Sequence, residues 1–196
     1  MASAVAAPVF LVGGWTLAQA VGPPGFDAVA DTISDLARRG VEHRWIMTLG
    51  LAGLGVSHVV TAIGSAALRP VSRVVLALAG AVTFLVAVFP QPVAGSSAVH
   101  GGLAATGFVL LALWPATTAS RRGPTVRRPA VAIGVAAVSV GLLGWFAVHL
   151  DGATVGLWER VLAAQQALWP LVVVLALRAT ATGRRRVGEG DDTIGA

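Results

Sequence analysis

Six uninterrupted apolar runs constrain this chain more than any other feature. They extend from Ala4 to Val21, Ile46 to Leu68, Val71 to Phe89, Val99 to Ala119, Ala130 to Leu150 and Trp158 to Leu177. Each is close to the ~20 residues needed to cross a hydrocarbon core of about 30 Å. Inside lipid a backbone must satisfy its own polar groups, so a span is either a helix or a strand of a closed barrel. Barrel strands alternate apolar and polar residues, whereas these runs are continuous. The sequence therefore predicts an all-α transmembrane bundle of six spans: a single membrane domain over residues 1–180, followed by a disordered polar tail over 181–196. Composition agrees. Of 196 residues, 56% are hydrophobic and 12% charged, about half the ~25% charged share of a soluble domain. That excludes an ordinary soluble globule, and it equally excludes a disordered chain, which needs low hydrophobicity and high charge. With no Cys, disulfides, thiol nucleophiles and Cys-ligated metals are excluded too.

Orientation follows from arginine, the only cationic residue besides His. Ten of the 14 lie in segments that share a side with both termini: Arg69, Arg73, Arg121, Arg122, Arg127, Arg128, Arg178, Arg184, Arg185 and Arg186. Arg38, Arg39, Arg44 and Arg160 lie on the other side. The positive-inside rule thus places both termini in the cytoplasm of a multi-pass protein of the cell membrane. The basic balance is absorbed by topology and gives no reason to expect nucleic acid as a partner. Membrane lipids are the expected partners. One rival reading remains at the N-terminus. Ala18-Gln19-Ala20 resembles a signal-peptide cleavage site, but no basic residue precedes the apolar run.

The longest connection, Gly22 to Trp45, follows the first span. Phe26, Val29, Ala30, Ile33, Leu36 and Ala37 recur at helical spacing, with Asp27, Asp31 and Asp35 on another stripe. This pattern predicts a short amphipathic helix lying at the outer interface and ended by Gly40. Arg38 and Arg39 can offset the repulsion among the three acids.

Ionisable groups within spans are costly and usually face the bundle interior or a watery cavity. His58 lies mid-span, and Gln166 lies seven residues beyond Glu159 on one helix face. His100, His149, Glu159, Arg160 and the Asp35 loop are far apart in sequence, yet all fall at the outer side. One outward polar pocket accounts for them economically. The bland alternatives are interfacial helix ends for His100 and His149, an interhelical hydrogen bond for His58, and a local charge pair for Glu159 and Arg160. Two His with an acid would suit zinc, but no HxxxH or HExxH spacing occurs, so no metal is expected. No phosphate loop or nucleotide fingerprint occurs either, so no cofactor is expected. A serine hydrolase would need Ser34 or Ser96 beside a His, and spacing selects neither. Small residues recur every four positions at Gly53, Ser57, Thr61 and Ser65, and again at Ala137 and Gly141. Both stripes are expected to be helix seams.

Three motifs together resemble a known family. Ile33-Ser34-Asp35-Leu36, Phe89-Pro90 followed by His100, and Gly156-Leu157-Trp158-Glu159-Arg160 are similar to marks of a bacterial and archaeal six-span membrane family. That family is catalogued only as domain of unknown function nine-nine-eight. The resemblance covers about residues 8–178 and implies no activity, but it groups Ser34, Asp35, His100, Glu159 and Arg160 as a set. Pro92 stands where the family pattern often has an acid. The leading expectation is a pocket for a lipid or small amphipathic molecule, with Arg160, Glu159, His149, Gln166 and His58 as ligand contacts. A lipid hydrolase or transferase is the enzymatic alternative, with candidates His100, Asp35 and Ser34 and with His100 oriented by Asp35 or Glu159. A small transporter using His58 and Gln166, and an assembly partner of another membrane protein, complete the alternatives.

Overall fold

The computed structural model describes residues 1–192, with side chains described through 183. All regular structure among these residues is helical, and six helices are long and apolar enough to cross a membrane. They are α1 (Ala2–Ala20), α3 (Trp45–Gly64), α4 (Pro70–Val88), α5 (Ala98–Thr117), α6 (Pro129–Val148) and α7 (Val155–Asp192). Between α1 and α3 stands α2 (Ile33–Leu36), a single turn. The expected tail at 181–196 lies largely outside the described side chains. Helix starts are written locally. Pro70 and Pro129 occupy first-turn positions, where a missing N–H costs nothing. The Ser97 side chain caps α5 by accepting from the His100 backbone N–H.

Large apolar side chains are exposed along the long helices, among them Ile63, Val74, Leu78, Val138 and Val140. A helix that is apolar all round belongs in a membrane. The protein is thus a multi-pass membrane protein, and many of the polar side chains in its spans are buried, among them Ser57, His58, Thr83, Ser139 and Gln166. Consecutive helices from α3 to α6 pack as neighbours, α1 lies against α3, and α7 closes the bundle against α1, α5 and α6. The two ends of the bundle differ. One carries the 65–69 and 118–128 connections, where Arg127 bonds the carbonyls of Thr118 and Ala67. The other carries the long 21–44 loop, the 89–97 loop and the 149–154 turn.

Small residues set how closely the helices cross. A methyl group on Gly80 would lie 2.6 Å from the Gly55 carbonyl oxygen, so α3 and α4 touch backbone to backbone. Gly53 faces the Phe10 ring of α1, and Thr61 donates to Ser3 of the same helix. This first stripe is the expected seam as far as Thr61. Ser65 lies just past the end of α3. The second stripe is not a seam among the described residues. A methyl on Gly141 would meet nothing within 4 Å, and Ala137 is exposed. Four-residue spacing marks a smooth face without naming its neighbour.

The amphipathic helix expected over 26–37 is also corrected. The segment consists of turns and the one-turn α2. Its aspartates compete with helical bonding. Asp27 accepts from the Val29 N–H at 2.8 Å, and Asp31 accepts from the Asp27 N–H at 2.8 Å. Arg160 meanwhile takes the carbonyls of Ala28 and Asp31. Thr32 and Asp35 then start α2 as a reciprocal capping pair.

The packing makes one contrast measurable. Gly80→Ala forces a methyl into backbone and should cost about 1–3 kcal/mol. Gly134→Ala on α6 meets open space and should leave stability unchanged. Thermal unfolding in detergent should separate the two; equal melting temperatures would contradict this packing.

Candidate functional site

The start of α7 reaches over the end of the bundle and clamps the loop. Glu159 is buried and accepts from the Ile33 N–H. The next residue, Arg160, uses one nitrogen, Nη1, for three carbonyls: Ala28 at 2.9 Å, Asp31 at 2.8 Å and Gly156 at 2.9 Å. Adjacent residues of opposite charge thus bind opposite poles of one stretch of backbone. Leu157 adds an N–H bond to the Val29 carbonyl at 3.0 Å. The approach requires Gly156, because any Cβ there would collide with the carbonyls of Asp31 and Ala28. Phe26 lies beside the Arg160 guanidinium, 5.7 Å from Cζ to ring centroid, within range of a cation–π contact.

The loop's other flank is tied to the 89–97 connection. Arg38 pairs with Asp35 at 2.5 Å and donates to the carbonyls of Pro92 and Gly95. The Arg39 N–H bonds the Gln91 carbonyl. Among the described residues the carboxylate–guanidinium pair is therefore Asp35–Arg38, not Glu159–Arg160. Burial works to raise the Asp35 pKa, but the bonds from Thr32 and Arg38 outweigh it and hold the carboxyl below its ordinary value of 3.8.

Between these ties, α2 presents Ser34 to His100. The Nε2 of His100 lies 3.0 Å from Ser34 Oγ, and Nδ1 lies 2.8 Å from the Phe89 carbonyl oxygen. A carbonyl only accepts, so Nδ1 carries the proton of the neutral ring and Nε2 offers a lone pair. The serine hydroxyl then donates to Nε2. Asp35 is held by Thr32 and Arg38, and Glu159 by the Ile33 N–H with Ser34 beside it, so the group that orients His100 is the Phe89 carbonyl.

Below α2 lies a cavity of about 60 Å³. Its polar lining is Ser34, His58, Thr83, Glu159 and Gln166, and the rest is mainly aliphatic. His58 and Gln166 are 1% and 2% exposed. Among the described residues, both ring nitrogens of His58 and the Oε1 of Gln166 have no hydrogen-bond partner. Gln166 Nε2 donates to the Phe108 carbonyl at 3.0 Å, which fixes the amide and leaves its oxygen free.

All three sequence motifs named above therefore meet at one place, through the bonds Ile33–Glu159, Ser34–His100 and His100–Phe89. The family model described as a protein of unknown function, DUF998, matches residues 4–176. The chain belongs to the DUF998 family. No curated protein and no solved structure matches it.

In this DUF998 protein the site residues named from sequence fall into three groups. Ser34, His58, Glu159 and Gln166 share the cavity, and His100 stands behind Ser34. Asp35 and Arg160 hold the loop and do not line the cavity. His149 is elsewhere: it bonds the Trp145 carbonyl and stacks on the Trp145 ring at 4.2 Å. Trp158 meets Trp145 edge-on. Sequence reasoning missed Thr32, Thr83 and the Phe89 carbonyl. Thr32-x-x-Asp35 carries a capping pattern that could have been found. A backbone carbonyl has no side-chain signature.

Asp35 gives the site a pH signature. A carboxyl whose folded pKa is lowered contributes stability that is fully present above its unfolded pKa. That contribution is lost as pH falls through the folded value. The melting-temperature gap between wild type and Asp35→Asn should be largest above about pH 4.5 and shrink steadily on acidification. A gap that does not vary with pH would contradict the Asp35 assignment.

Proposed function

We propose that this protein binds a lipid or a small amphipathic molecule, holding its polar end in the cavity beneath the 21–44 loop. The observation that carries this reading is the pair His58 and Gln166. Two buried side chains turn unpartnered polar atoms on one cavity. An unsatisfied buried group costs about 1–3 kcal/mol, so a polar ligand atom bonding His58 or Gln166 recovers that cost on binding. The volume of about 60 Å³ suits a carboxyl, hydroxyl or ester group rather than a whole lipid. The aliphatic lining suits the chain that follows such a group. Arg160 contributes by fixing the loop that forms the roof, and Glu159 contributes at the roof itself.

Orientation belongs to the same reading. The arginine distribution supports cytoplasmic termini in the cell membrane, which makes the loop end the outer end and the cavity outward-facing. Membrane lipid is then the nearest supply of ligand.

Native mass spectrometry of the purified protein with added fatty acid and monoacylglycerol tests the proposal. Wild type should retain one amphiphile. His58→Leu and Gln166→Leu should weaken retention about tenfold or more, the loss of roughly one hydrogen bond worth 1.4 kcal/mol. His58→Leu should keep or raise the melting temperature, since it removes unsatisfied polar atoms, whereas Gln166→Leu also loses the bond to the Phe108 carbonyl and should change it little. No retained amphiphile, or equal retention by all three proteins, would overturn the proposal.

A further inference from the structure

Ser34 and His100 form an arrangement that binding alone does not require. Ser34 lines the cavity beside Glu159, and its Oγ lies 3.0 Å from the Nε2 of a buried imidazole. The opposite ring nitrogen is held by a fixed acceptor, the Phe89 carbonyl, 2.8 Å away. Nucleophile, base and orienting group are thus joined by successive hydrogen-bond contacts, the connectivity that activates a serine. Across the same cavity, His58 always carries at least one ring N–H, and no atom of the described residues accepts it. It is the free donor for a carbonyl oxygen held in the cavity.

We propose that Ser34 is a catalytic nucleophile with His100 as its general base, and that the substrate is a carboxylic ester of an amphipathic alcohol or acid. The inference rests on the binding reading above and names its substrate class. Ser34 Oγ attacks the ester carbon while its proton passes to His100 Nε2. The bond to the leaving alcohol then breaks, and His100 returns the proton to that alcohol's oxygen. This leaves an acyl group on Ser34. A water molecule repeats the sequence: it gives a proton to His100 and attacks the acyl carbon, and Ser34 Oγ leaves and takes the proton back. The net reaction is ester plus water to acid plus alcohol. Phe89 is a positioning residue through its carbonyl, which holds the imidazole in the required tautomer. His58 faces the carbonyl oxygen as negative charge develops on it.

A short-chain alkyl fluorophosphonate tests the proposal on the intact protein in detergent. Attack by an activated serine expels fluoride and leaves a stable phosphonyl adduct. Wild type should gain one adduct, mapped by peptide mass spectrometry to Ser34. Ser34→Ala should gain none, and His100→Gln should react at least tenfold more slowly. Prior incubation with excess monoacylglycerol should slow the wild-type labelling, because the ester would occupy the same cavity. That readout needs no variant to fold, and a purely structural His–Ser contact would not produce it. Folded wild type without an adduct on Ser34 would overturn the proposal. So would labelling that is indifferent to monoacylglycerol and to His100→Gln. The two readings fail separately. Retained amphiphile that is sensitive to His58→Leu, without serine labelling, ends the catalytic inference and leaves binding standing. Loss of both ends both.

Discussion

The arrangement depends on how a non-helical loop satisfies its backbone at the edge of a bundle that is otherwise apolar. A buried N–H or C=O without a partner is expensive, and the 27–33 segment closes a single helical bond of its own, from the Asp31 N–H to the Asp27 carbonyl. The start of α7 supplies what is missing. Glu159 accepts the Ile33 N–H, and Arg160 donates to two carbonyls of the turn before it. The two charges are used against backbone dipoles and not against each other. This keeps a buried carboxylate and a half-buried guanidinium on one helix without a direct ion pair, an interaction whose desolvation often cancels its attraction.

Everything at the candidate site hangs from that clamp. Ile33 and Ser34 are consecutive, so fixing the first N–H fixes where the next hydroxyl points. Ser34 then meets His100, whose ring is set by the 89–97 connection, and that connection is held to the same loop by Arg38 and Arg39. The cavity below inherits its roof from these contacts and its floor from His58 and Gln166. The site is built from α3, α4, α5 and α7 with the 89–97 connection and the 21–44 loop, and that loop brings them into register.

The six spans were legible because membrane thickness dictates their length and lipid dictates their composition. Their ends were legible wherever Pro70, Pro129 or Ser97 wrote them. The loop was not. Helical spacing from Phe26 to Ala37 was real, but Asp27, Asp31 and the distant Arg160 outcompeted it for the same backbone groups. Topology placed His100 and His149 at one end of the bundle, yet it carried no information on rotation about each helix axis. His149 turned to Trp145, and His100 turned inward. The motif set Ser34, His100 and Glu159 converged as a set. Its wiring was hidden, because two of its partners are backbone atoms, the Ile33 N–H and the Phe89 carbonyl. The stripe at Ala137 and Gly141 read the same as the one at Gly53 and Thr61, and only packing could tell them apart.

Hydrogen–deuterium exchange of the peptide covering residues 26–37 tests the clamp most directly. In the wild-type protein the Ile33 amide and its neighbours should exchange slowly, as backbone bonded to buried partners does. Glu159→Leu removes the acceptor and should speed exchange in this peptide by tenfold or more, with the helices unaffected. His149→Ala, outside the clamp, should leave it unchanged. Fast exchange of this peptide in the wild type, or slow exchange that survives Glu159→Leu, would contradict the account.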